Sequence, residues 1–198
     1  MKILRFDFTA RVFHWSHAMI FIWLLTTGIQ LFLTSKSLLG NPLIRIIHIY
    51  ASLPFVLLPV IIYISGSASL RNDVKELISW SRGDVRWFID FLRMKGTFAA
   101  GKFNGGQKAN FMASLIVVIG LLLSGSVVWM KSMFSVNFVE ASFLIHDFFA
   151  VISILLVSGH IISSLYYSES LYGIVYGYVN AEWAEKHYPE WSEQKNQK

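Results

Sequence analysis

The sequence predicts an all-α membrane protein: a bundle of four transmembrane helices with further helices along the cytoplasmic interface. Three observations predict it. The 198 residues have a mean hydropathy of +0.52 and only 15% charged residues, against about 25% in an ordinary soluble domain. The apolar residues gather into four stretches almost free of charge, at 12–33, 43–70, 109–130 and 141–167. At about 1.5 Å per residue, each stretch is long enough to cross roughly 30 Å of hydrocarbon. A soluble chain with four such buried helices would keep too little polar surface to cover them.

The first apolar run follows a polar, basic start at residues 1–11. It is too long for the apolar region of a signal peptide and has no small-residue cleavage pattern after it, so it is expected to remain as an anchor. Asn41-Pro42 opens the second helix, since proline suits a first turn. Short connections at 34–42 and 131–140 make helices 1 and 2, and helices 3 and 4, antiparallel neighbours. The loop at 71–108 holds two amphipathic segments, Asp73 to Trp80 and Asp84 to Leu92. Each opens on an acidic cap and then spaces its apolar residues helically. They are expected to lie along the interface with Trp80 and Trp87 as anchors. Lys102 to Lys108 forms a polar turn into helix 3, and the tail at 168–198 supplies a second interfacial segment over 173–191. All of it reads as one membrane domain.

Charge sets the sidedness. Lys2, Arg5 and Arg11 precede helix 1; Arg71, Lys75, Arg82, Arg86, Arg93, Lys95, Lys102 and Lys108 lie between helices 2 and 3; the tail adds Lys186, Lys195 and Lys198. The opposite side has only Lys36, Arg45 and Lys131. This asymmetry predicts both termini in the cytoplasm of a multi-pass protein of the bacterial inner membrane. A basic face against anionic lipid accounts for the formal charge of +5 without any nucleic acid, for which no motif is present.

Cysteine is absent, which removes disulfides, iron–sulfur ligation and thioether linkage, and leaves histidine as the natural metal or haem ligand. His14 and His17 sit at the cytoplasmic end of helix 1, and His48 and His146 lie near the outer ends of helices 2 and 4. His160 follows His146 by fourteen residues. That interval rises about 21 Å and returns to within roughly 40° of the same helix face. Helix 4 therefore offers an imidazole at each of two depths, one level with His48 and the other with His14 or His17. Two facing pairs at two depths are the ligand set of two bis-histidine haems. Periodicity does not choose between His14 and His17, three residues apart on one face. His187 lies in the tail, outside the membrane. Gly28, Gly66, Gly120, Gly125 and Gly159 relieve otherwise bulky helices, with Gly125 and Gly159 best placed for clearance beside a flat macrocycle. Asp147, beside His146, is costly within a membrane and calls for water, a haem propionate or a partner subunit.

These residues resemble the gamma, or cytochrome b, subunit of membrane-bound respiratory formate dehydrogenase, within the wider group of di-haem membrane cytochromes b. The resemblance runs through Arg11-Val-Phe-His-Trp15, Ile47-His-Ile49, Gly101-Lys-Phe-Asn-Gly-Gly-Gln-Lys108, Leu144-Ile-His146 with the interval to His160, and the tail from Trp183 to Trp191. It departs at Asp147, where the family has a small apolar residue, and in a tail enriched in Tyr172, Tyr176 and Tyr178.

The resemblance implies haem b on the cytoplasmic side held by His14 and His160, and a second on the periplasmic side held by His48 and His146. It also implies a quinone pocket at Asn104, Gly106 and Gln107, bordered by His160. The subunit would not act on formate. Its implied partners are a periplasm-facing iron–sulfur subunit and a molybdenum or tungsten catalytic subunit, in a complex open to higher oligomers. Its implied electron acceptor is menaquinone or ubiquinone, with protons drawn from the cytoplasm. Two other readings compete: a cytochrome b subunit of a hydrogenase or thiosulfate/polysulfide reductase, and a non-redox membrane anchor or small transporter whose histidines bind protons or metal.

Overall fold

The computed structural model describes residues 1–33, 43–95 and 101–196. Four long helices dominate it: α1 (Phe8–Leu33), α2 (Leu43–Ser65), α5 (Gly105–Trp129) and α6 (Val136–Tyr166). All four are long and apolar enough to cross a membrane. Two short helices, α3 (Ala68–Ile78) and α4 (Arg82–Leu92), separate the second span from the third. A single 3-10 turn at Lys131–Met133 joins α5 to α6. The chain closes with α7 (Ser168–Tyr176), α8 (Ala181–His187) and α9 (Pro189–Asn196).

The spans form two antiparallel hairpins, α1 with α2 and α5 with α6. Thr9 meets Gly66 at one end of the first hairpin and Gly28 meets His48 at the other. In the second, Gly120 lies against the Phe149 ring and Gly125 against His146. Close backbone approach is confined mainly to the helices within each hairpin. The outward faces remain apolar, with Leu144, Leu155 and Ile162 among the most exposed side chains, as a hydrocarbon solvent favours. Hydroxyls within the spans are satisfied locally: Thr26, Ser65, Ser126 and Ser142 each donate to the carbonyl four residues back.

The end of the bundle that carries both termini, called here the tail end, departs most from expectation. Lys2–Leu4 (β1) pairs antiparallel with Tyr178–Asn180 (β2), Ile3 opposite Val179. Against this ladder pack Ala184, Tyr188 and Trp191, with Trp183 at the edge. Arg5 is 2% exposed and lies 3.9 Å over the Tyr188 ring. The segments at 1–11 and 173–191 thus fold into one cap. His187 belongs to it, stacked on Trp183 with Nδ1 2.9 Å from the Trp183 carbonyl.

Other boundaries are corrected by local chemistry. The second span ends at Ser65 rather than 70, because Ser67 caps a new helix through the Leu70 amide. Asp73 is therefore no cap. Ser81 caps α4, with Asp84 completing a capping box from the third position. The Asn41-Pro42 helix start lies outside the described residues.

Candidate functional site

The histidines meet in two pairs. At the tail end the His14 and His160 rings are 6.1 Å apart between centroids, tilted by 54°. At the far end, where α1 ends and α2 begins, His48 and His146 are 6.4 Å apart at 75°. Both separations would leave room for one metal atom held between the facing rings by a nitrogen of each, at about 2.0–2.1 Å per bond. His17 does not enter either pair. Its ring stacks on Phe55 of α2 at 4.2 Å, and its Nδ1 is buried without a hydrogen bond. Between the two residues that periodicity left open, His14 is the one facing His160.

The far pair is oriented by its own hairpins. His48 Nδ1 lies 2.8 Å from Thr27 Oγ1, and His146 Nδ1 lies 3.1 Å from both Ser124 Oγ and the Leu121 carbonyl. A carbonyl only accepts, so His146 carries its proton on Nδ1. Thr27 already donates to the Trp23 carbonyl, so its oxygen accepts from His48 in the same way. Both Nε2 lone pairs are thereby left for a ligand.

The third candidate region is the turn into α5. Asn104 is the helix cap: its Oδ1 accepts from the Gln107 amide at 2.8 Å, and Gln107 Oε1 accepts from the Asn104 amide at 3.0 Å. Both side-chain oxygens are committed, which leaves the NH₂ groups as the remaining donors of these two side chains. Gly105 and Gly106 lie against Trp87 and have no room for a side chain. Trp87 is thus drawn inward onto the turn and does not serve simply as a surface anchor.

Sequence reasoning missed what holds this turn. Lys102 Nζ contacts both oxygens of Asp73 at 2.6 Å. Glu76 Oε1 accepts from the Lys102 and Phe103 amides. Lys108 Nζ reaches Asp84 at 3.0 Å, with Asp84 1% exposed. Gly101, at φ 153°, passes where a Cβ would strike Glu76. The signal was available as acids spaced helically in 73–84 and lysines flanking the turn. In the sequence alone the acids look like helix caps and the lysines like interfacial charge. No hydrogen bond or ring contact joins the turn to His160 among the described residues.

Comparison with known proteins identifies the lineage. The profile of the prokaryotic cytochrome b561 family matches residues 5–176. The chain belongs to that family. It is 29% identical over 201 residues to the formate dehydrogenase cytochrome b556(fdo) subunit of Escherichia coli K12, covering 96% of this chain and 91% of the relative. The formate dehydrogenase cytochrome b556 subunit of Haemophilus influenzae is 28% identical, covering 96% and 82%. The nitrate-inducible cytochrome b556(Fdn) subunit of E. coli K12 is 25% identical, covering 96% and 89%. The protein is a membrane cytochrome b561 homologous to these subunits.

A b561-family protein implies haem b, and the residues fit it. Each level offers two imidazoles, the number an iron needs when a macrocycle fills its other four positions. A Cβ on Gly159, next to His160, would meet nothing within 4 Å. Gly125 has a different use: a Cβ there would stand 3.2 Å from the ring of His146, so this glycine makes room for that imidazole. Asp147 is half-buried beside His146, without a hydrogen bond or ion pair among the described residues.

Proposed function

We propose that this cytochrome b561 is the di-haem membrane subunit of a formate dehydrogenase-type complex, carrying electrons from an iron–sulfur subunit on the outer face to membrane quinone. The observation that carries the reading is the two histidine pairs, 6.1 and 6.4 Å between ring centres, on spanning helices. His48 and His146 would hold the outer haem, and His14 and His160 the inner one. Bound haem supplies the one-electron chemistry; the chain supplies ligands, orientation and an apolar surround. A bare-metal site in a transporter would normally need about four protein ligands, which favours the haem reading.

The inner face would reduce quinone at the α5 turn. The NH₂ groups of Asn104 and Gln107 would donate to a quinone oxygen, beside Gly106 where Trp87 packs on the turn. The turn stands at the start of a span, where water can deliver the protons that quinone reduction consumes. The basic loop and tail support a cytoplasmic position for this end, and oxidation outside with proton uptake inside would then charge the membrane.

A pyridine haemochrome assay on the purified chain tests this directly. Two haems per chain are expected, falling to one in His48→Ala and one in His160→Ala. A haem-free preparation from a haem-sufficient host would end the proposal. Co-purification with an iron–sulfur and a molybdenum or tungsten subunit active on formate is the expected assembly. Co-purification with a hydrogenase or sulfur-compound reductase would change the partner but leave the electron path.

A further inference from the structure

The two hairpins repeat one histidine-holding device. Leu24-Leu-Thr-Thr-Gly28 on α1 and Leu121-Leu-Leu-Ser-Gly125 on α5 share a pattern of two leucines, one variable residue, a hydroxyl and a glycine. In each copy the hydroxyl bonds the carbonyl four residues back, Trp23 at 2.9 Å and Gly120 at 2.6 Å. It also faces Nδ1 of the histidine 21 or 22 residues ahead, on the next helix. The glycine then receives the edge of that ring: a Cβ on Gly28 would stand 3.3 Å from His48 Cε1, and one on Gly125 would stand 3.2 Å from His146 Cε1. The Leu121 carbonyl, three residues before Ser124, is a second acceptor for His146. Thr27 and Ser124 are 7% and 6% exposed, so water does not compete for these bonds. The tail-end pair has no counterpart: neither the His14 nor the His160 ring makes a hydrogen bond among the described residues.

We propose that Thr27 and Ser124 are a matched pair of positioning residues for the outer haem, orienting the imidazoles of His48 and His146 by accepting from Nδ1–H, Ser124 together with the Leu121 carbonyl, and lowering that haem's midpoint potential. This rests on the di-haem reading. A hydrogen bond from Nδ1–H makes the opposite nitrogen a stronger donor, which favours oxidised iron. A lower potential at the outer level is the sense that drives electrons inward.

The test is a redox titration with spectral and paramagnetic-resonance readout on Thr27→Val, Ser124→Ala, the double variant and Thr27→Ser. The first two are each expected to raise one and the same haem potential, by a shift approaching tenfold in the reduced-to-oxidised ratio, about 59 mV for one electron. The double variant should shift that haem further. Thr27→Ser, which keeps the hydroxyl, should restore the wild-type value, and the second haem should stay fixed throughout. Two haems with unmoved potentials, or shifts that fall on different haems, would overturn this inference while leaving the di-haem reading intact. Absence of haem from the wild-type chain would instead remove the reading beneath it. Thr27→Val preserves shape and Ser124→Ala removes one atom, so both chains should fold.

Discussion

At the scale of single residues, the capped turn at Asn104 separates two roles that one side chain combines. Its Oδ1 is committed to capping α5, so only the NH₂ group is available to a ligand. Aspartate caps a helix about as well as asparagine and lacks that donor. Asn104→Asp should therefore cut quinone reduction at least tenfold while both haem spectra and the melting temperature hold. Asn104→Ala should do the same and also lose about 0.5–2 kcal/mol of helix stability. Quinone turnover at the wild-type rate in Asn104→Asp would remove the donor role. The asparagine, the glycines and Gln107 three residues on were legible in the sequence as a helix start. Which amide atoms remain free depended on both partners of the capping box being formed. The paired histidines show the same division. Spacing along α6 put His146 and His160 on one face, but only the packing of α1 turned His14 toward His160 and laid His17 on Phe55.

At the scale of elements, α3 and α4 hold the turn into α5 in place. They appear in the sequence as amphipathic helices of the interface, and they do form. Asp73 and Asp84, however, face inward to Lys102 and Lys108. Burial alone would push the Asp84 carboxyl up, but hydrogen bonds from Lys108 and Ser81 outweigh it and hold the group below its usual value. A carboxylate with a depressed folded-state pKa contributes stability above its unfolded value, about 3.9, and loses it as pH falls through the folded one. The turn should thus loosen in acid below about pH 4, which hydrogen exchange at residues 101–108 would register. At neutral pH, Asp84→Ala leaves Lys108 buried without its partner and should cost about 3–5 kcal/mol. Retention of the wild-type melting temperature in that variant would show that the pair carries little of the stability. These pairings were hidden in the sequence because a lysine beside a membrane segment reads equally well as a topology signal.

At the scale of the whole molecule, the two termini are one structure. The β1–β2 ladder and the aromatic residues around Arg5 join residues 2–4 to 178–191, fixing both ends at the same end of the bundle. Arg5 and Arg11, counted in the sequence as cytoplasmic charge, are also structural: Arg5 Nη2 donates to the Lys102 carbonyl at 2.8 Å, and Arg11 Nη1 to the Val175 carbonyl at 3.0 Å. Because the chain has no cysteine, the predicted sidedness can be checked with single thiols. Gln194 in the tail and Lys131 in the α5–α6 turn are both exposed. Gln194→Cys should react with an impermeant maleimide only in inverted vesicles, and Lys131→Cys only in intact spheroplasts. The reverse pattern would invert the proposed direction of electron flow. Neither strand was predicted, since three-residue pairings separated by more than 170 residues leave no local periodicity.

The four spans, their antiparallel order and the two depths at which histidines occur are legible from the residues alone, because hydrocarbon demands long apolar helices and a helix returns to one face at known intervals. The tertiary structure alone decided which imidazoles face each other, which hydroxyls orient them and which acids secure the α5 turn. Those are contacts between separate helices, and a helix's own sequence fixes which residues share a face but not which neighbour that face meets.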